Sequence, residues 1–137
     1  SLKIRNPEAN RPWQHVLEPL TGYLKLAEFM WDKPSAAGAY NFGPDVEDIK
    51  SVKAVIDIAL EAYGRGSVEF GNVGATLHEA SNLVLDSSKS RDVLGFRPRW
   101  QLENTVFRTA QWYLNFDNGV DARALCDRDI ELYESAI

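Results

Sequence analysis

With 137 residues, 45% hydrophobic and 26% charged, the chain has an ordinary globular composition, far from the low-hydrophobicity, high-charge signature of disorder. A compact chain of this length buries roughly two-thirds of its unfolded surface, enough for one domain spanning residues 1–137 with a real core. The net charge of -5 and pI near 5.0 exclude a general basic field for nucleic acid, so any phosphate contact must be local.

The single cysteine, Cys126, cannot form an internal disulfide, and His15 and His78 make no zinc spacing. The expectation is a reducing, cytoplasmic setting with no metal. No run approaches the ~20 apolar residues needed to cross a bilayer, and the polar start from Ser1 to Asn6 lacks a signal pattern, so no membrane partner is expected.

Residues 1–13, interrupted by Pro7 and Pro12, read as an extended lead-in with no element before it, as a cut inside a larger fold would leave. Val16, Leu20, Tyr23, Leu24, Ala27, Met30 and Trp31 then form the stripe of an amphipathic helix, with Pro19 tolerated near its start. Asp32-Lys33-Pro34-Ser35 ends the pattern. The aromatic, glycine-bounded stretch Gly38–Pro44 predicts a buried strand leading into an acidic loop of Asp45, Glu47 and Asp48, read as solvated surface.

Val52, Val55, Ile56, Ala59, Leu60 and Tyr63 give the cleanest helical stripe, with Ser51 placed to cap it and Gly64 to end it. Ser67–Phe70 and Asn82–Leu85 predict short strands around the turn-rich Gly71–Gly74. Asp86 is placed to cap a short helix ending at Gly95, Leu102 to Tyr113 mark a longer helix, and Ala122 to Tyr133 a last one. The fold class expected is a helix-rich α+β domain with a few short strands and no internal repeat.

For chemistry the negative result comes first. There is no GxGxxG run, since Gly71 and Gly74 form only a lone GxxG, and no P-loop, GxSxG or HExxH. Arg11-Pro12-Trp13-Gln14-His15 gathers a guanidinium, an aromatic face, an amide and an imidazole. Arginine suits bidentate phosphate recognition, but from the residues alone a surface arginine beside a packed tryptophan is the simpler account. His78-Glu79 invites an acid/base reading, yet adjacent residues share a face in neither a helix nor a strand, so a polar loop pair is the simpler account. Arg97 and Arg99 beside Trp100 read as a solvated turn with one buried tryptophan, and Trp112-Tyr113 as core packing.

Three segments, RPWQHVLEPL at 11–20, YNFGP at 40–44, and LDSSKS at 85–90 followed by LGFRPRW at 94–100, together resemble the C-terminal, substrate-binding part of extended short-chain dehydrogenase/reductases acting on nucleotide sugars. The first segment resembles the CDP-glucose 4,6-dehydratase family in particular. Complete enzymes of that family use NAD to oxidise the sugar at C4, eliminate water across C5 and C6, and return the hydride to C6. The resemblance implies that Arg11 contacts the nucleotide diphosphate, that Gln14 and His15 shape that wall, and that His78 and Glu79 lie near the nucleoside. The stretch 81–84 departs from the family pattern, which is more aromatic and basic there.

The family's glycine-rich NAD loop, its Rossmann domain and its Tyr-x-x-x-Lys pair belong to an N-terminal region not found in this sequence, where no tyrosine has a lysine four residues on. The reading is therefore a detached or truncated substrate-side domain of a lyase for deoxysugar biosynthesis, with no cofactor, catalytic or metal residues of its own, and not catalytic alone. A nucleotide sugar is its expected partner. A stand-alone nucleotide- or sugar-binding module and a non-enzymatic homo-oligomeric assembly domain are the alternatives, separated by whether a cleft or a second copy covers Trp13.

Overall fold

A computed structural model describes residues 1–71 and 81–136. Among them the order is β1 (Leu2–Ile4), β2 (Asn10–Pro12), α1 (Leu17–Asp32), β3 (Ile49–Ser51), α2 (Val52–Tyr63), β4 (Val68–Phe70), α3 (Ser88–Leu94), α4 (Leu102–Asp117) and α5 (Ala122–Ser135). This is the expected helix-rich α+β class. Its described strands form two small sheets, β1 parallel to β4 and β2 antiparallel to β3, with no Rossmann-type sheet. Residues 1–13 are thus not a bare lead-in, because their backbone groups pair with strands 37 to 66 residues away.

The helices end where local chemistry says they should. The Ser51 hydroxyl accepts the Ala54 N–H at the start of α2, and Gly64, at φ 73°, supplies the left-handed residue that closes it. Gly95 does the same for α3 at φ 60°. Asp86 accepts the Ser88 N–H, and Asp121 accepts the Ala124 N–H at the start of α5. By contrast, Gln101 caps α4 with no side-chain bond. The Leu102 N–H is instead taken at 3.0 Å by the buried Asp48, a residue of the loop expected to be solvated.

A second buried acid organises the core. Glu18, in the first turn of α1, is fully buried. One of its oxygens accepts the N–H groups of Arg99 and Trp100 at 3.0 and 2.9 Å, and the other accepts the Tyr133 hydroxyl at 2.6 Å. Around this carboxyl group Trp100 makes edge contacts with His15 and Tyr133, while Phe96, Leu102, Val106 and Leu125 complete the buried apolar set. Burial and the bond to Glu18 push the Tyr133 phenol well above its ordinary value, and the Arg99 guanidinium stacks on its ring while donating to the carbonyls of Tyr133 and Glu134.

Helix α1 exists as expected, but its faces are reversed. Its apolar stripe points outward, with Leu24 72% and Trp31 88% exposed, while Glu18 and Gly22 face the core. Gly22 leaves room for Phe42, whose ring would lie 2.3 Å from an added Cβ. Phe42 in turn makes edge contacts with Tyr23 and Phe96. The stretch Gly38–Pro44 is extended but joins no sheet. Side chains hold it in place of a ladder: Gln14 donates to the Phe42 carbonyl, Lys89 to that of Ala39, and Asn41 to that of Asp86. The expected strand at Asn82–Leu85 reduces to one bridge between Asn82 and Asn10. Tyr113, expected in the core, is 56% exposed.

Two substitutions test this account. Glu18→Ala strands three donors, two of them in the buried core, and should cost about 3–5 kcal/mol in urea unfolding. Gly22→Ala, which in an ordinary helix gains about 1 kcal/mol, should destabilise here, and Phe42→Leu in the same chain should recover part of the loss.

Candidate functional site

The hairpin-like ribbon of β2 and β3 carries the first site residue. Register sets Arg11 directly opposite Lys50, so two cations share one face of the ribbon. Arg11 is half-buried and donates through Nη1 to the Asn10 carbonyl. Lys50 is exposed. Sequence reasoning missed Lys50, because only strand register brings residues 39 positions apart together. The ribbon's other side is bordered where Asn10 donates to the Ser81 carbonyl and its own carbonyl accepts the Leu83 N–H.

Trp13 and Gln14 turn the other way. The Trp13 indole donates to the Lys50 carbonyl at 3.0 Å, fixing the end of the ribbon. Both residues line a groove of about 610 Å³ between α2 and α4, walled by Val55, Ile56, Ala59, Leu60 and Ala110. The amide of Gln14 donates to Phe42, while its Oε1 is buried with no hydrogen-bond partner among the described residues. At the groove's far end Tyr63, Arg65 and Asp117 are joined by hydrogen bonds, with Arg65 and Asp117 3.2 Å apart. Arg11 and His15 are not among the groove's described lining residues.

His15 belongs to the core. It is buried, with its ring 4.7 Å from that of Trp100, and its Nδ1 accepts the Leu17 N–H at 3.3 Å where α1 begins. Burial lowers its pKa from the ordinary 6.5, Asp129 pulls it back up and Arg108 pushes it down. The structure therefore separates three residues that the sequence sets side by side: Arg11 on the ribbon, Gln14 in the groove wall and His15 in the packing. His78 and Glu79 lie outside the described residues. Arg97 and Arg99 form no anion site, since Arg97 turns back on the Phe96 carbonyl and Arg99 closes α5.

No protein-family model matches the chain. Over 134 residues, 97% of its length, it is 38% identical to a curated protein of Salmonella typhimurium. That relative is a CDP-glucose 4,6-dehydratase. The chain spans 37% of the relative's length.

NAD is the cofactor that the resemblance implies for complete enzymes, and the described residues offer one strand-to-helix junction at which to look for its pyrophosphate cradle. A pyrophosphate cradle needs glycines between a strand and a helix N-terminus, whereas the one described strand that runs straight into a helix, β3 into α2, does so through Ser51. No described group of His, Cys, Asp and Glu side chains forms a metal set, and no described helix is long and apolar enough to cross a membrane.

The lowered pKa of His15 has a signed consequence. The unfolded imidazole takes up a proton near its ordinary value of 6.5 and the folded one only at lower pH. Stability from this residue is full above 6.5 and falls as pH drops toward the folded value. Urea unfolding at about pH 7.5 and about pH 5.5 should show a loss in the wild type that is smaller in His15→Asn, which keeps an acceptor for the Leu17 N–H.

Proposed function

We propose that this chain is a substrate-side domain of a CDP-glucose 4,6-dehydratase, binding the nucleotide diphosphate and carrying out no hydride or proton transfer by itself. The observation that carries this reading is the 38% identity across nearly the whole chain. The ribbon supports it independently. In a chain of net charge -5, Arg11 beside Lys50 is a local cationic spot, and a guanidinium and an ammonium together match a diphosphate, one as a planar fork and one as a point charge.

On this reading Arg11 and Lys50 hold the two phosphates and His78 and Glu79 meet the nucleoside, while Gln14 shapes the wall of the separate groove behind the ribbon. His15 acts through packing, by holding Trp100 and the start of α1. Oxidation at C4 needs a hydride acceptor that this stretch of chain has no loop to bind, so its part in the reaction is to bind and orient the sugar nucleotide.

One observation favours a second reading, a binding module that works alone. The groove beside Trp13 is apolar and ligand-sized, and Gln14 Oε1 in its wall waits for a donor.

Isothermal titration of CDP-glucose and CDP into the purified chain separates the two. The dehydratase reading expects saturable binding, weakened about tenfold (~1.4 kcal/mol) by Arg11→Ala and by Lys50→Ala, with no turnover when NAD is added. Binding that survives both substitutions intact would favour the groove. Absence of heat at millimolar ligand would defeat both.

A further inference from the structure

Between α4 and α5 lies a small cavity of about 130 Å³, and its described lining comes from those two helices alone. Ligand pockets run from about 300 Å³ upward, so this one is too tight for a nucleotide and has room for a small ion. Its polar side chains are Arg108, Gln111 and Asn115 from α4 and Arg128 and Asp129 from α5. Arg108 is half-buried, with its guanidinium 6.0 Å from the centre of the Trp100 ring, and its Nε is buried with no hydrogen-bond partner among the described residues. Neither Arg108 nor Arg128 forms an ion pair with a described carboxylate. A guanidinium drawn out of water is unfavourable until its N–H groups find acceptors.

The charges around the cavity reach one another. Burial raises the Asp129 carboxyl above its ordinary value while His15, Arg108 and Arg128 pull it back, and the Arg108 charge helps to lower His15. Two arginines against one carboxylate leave the lining positive by one charge.

We propose that this cavity is a binding site for a small oxyanion that still carries a proton, namely free inorganic phosphate. The arginines supply N–H donors in planar forks that suit phosphate oxygens. The rest of the polar lining accepts. The amides of Gln111 and Asn115 donate to the carbonyls of Ala62 and Gln111, their side-chain oxygens have no described donor, and Asp129 offers a carboxylate. Hydrogen phosphate satisfies both kinds of group, since its bare oxygens take hydrogen bonds from the arginines and its own O–H donates to Asp129. Sulfate at neutral pH has no proton to give and sets a bare oxygen against the carboxylate, where like charges repel. The site shares no residue with the ribbon of Arg11 and Lys50, and it does not rest on the dehydratase reading.

The test is calorimetric titration of sodium phosphate, in a phosphate-free buffer at constant ionic strength, into the 137-residue chain carrying Arg11→Ala and Lys50→Ala so that the ribbon does not contribute. Saturable binding of one phosphate per chain is expected, weakened at least about tenfold by Arg128→Ala and by Arg108→Gln, with sulfate at least about tenfold weaker than phosphate. Arg128 is exposed, so its substitution should leave far-UV circular dichroism unchanged. Asp129→Asn, which presents an N–H in place of a carboxylate oxygen, should erase the preference for phosphate over sulfate. No saturable binding at millimolar phosphate, binding that Arg128→Ala leaves unchanged, sulfate held as tightly as phosphate, or a preference that survives Asp129→Asn would each overturn the proposal.

Discussion

A single buried acid sets the geometry on which the other parts depend. Glu18 sits in the first turn of α1 and receives hydrogen bonds from the loop at Arg99 and Trp100 and from Tyr133 near the end of α5. Those groups are up to 115 residues apart in sequence, and no apolar side chain could join them so specifically. An acceptor without water must be satisfied by the protein, so the loop and the helix have little choice of position. Asp48 repeats the device one step along, by taking the N–H that begins α4. Two acids, one in the first turn of α1 and one in the segment before β3, therefore orient both the buried tryptophan and the helix that follows it.

This solution has a cost on the outside of α1. A helix that turns Glu18 and Gly22 inward must turn Leu24 and Trp31 outward, since both faces lie on the same rigid cylinder. Gly22 adds to the constraint, because Phe42 occupies the space of its missing side chain and fixes the rotation of the helix. The Glu18 carboxylate is satisfied within the core, and the apolar stripe of α1 is left exposed. Helix α2 shows a milder form of this. Its apolar face is only half covered by α4, which leaves the groove that Trp13 and Gln14 border.

The functional reading follows from charge on a small scale. An overall acidic chain repels phosphate at long range, but screening confines that repulsion to about 10 Å at ordinary salt, and register puts Arg11 and Lys50 side by side on the ribbon. The ribbon is anchored by Trp13 at one end and by the bonds of Asn10 at the other, so the cations stand on a fixed base. On the proposed reading, such a surface serves binding and orientation.

The sequence by itself determined what depends on near neighbours. The span of α2, its serine cap and glycine stop, the close of α3 at Gly95 and the helical course of α1 all rest on bonds within a few residues, which periodicity and capping chemistry express directly. The resemblance at 11–20 also pointed to Arg11 and to the dehydratase relative, since a motif is local as well. Only the tertiary structure decided which face of α1 is buried, that Asp48 caps α4, that His15 packs while Gln14 lines a groove, and that Lys50 stands beside Arg11. Each of these turns on partners tens of residues away, and a one-residue change of register or a part-turn of a helix would reverse it without altering any local pattern. Hydrophobic periodicity says that a helix has two faces, and the unpaired polar groups of the rest of the chain decide which of them turns inward.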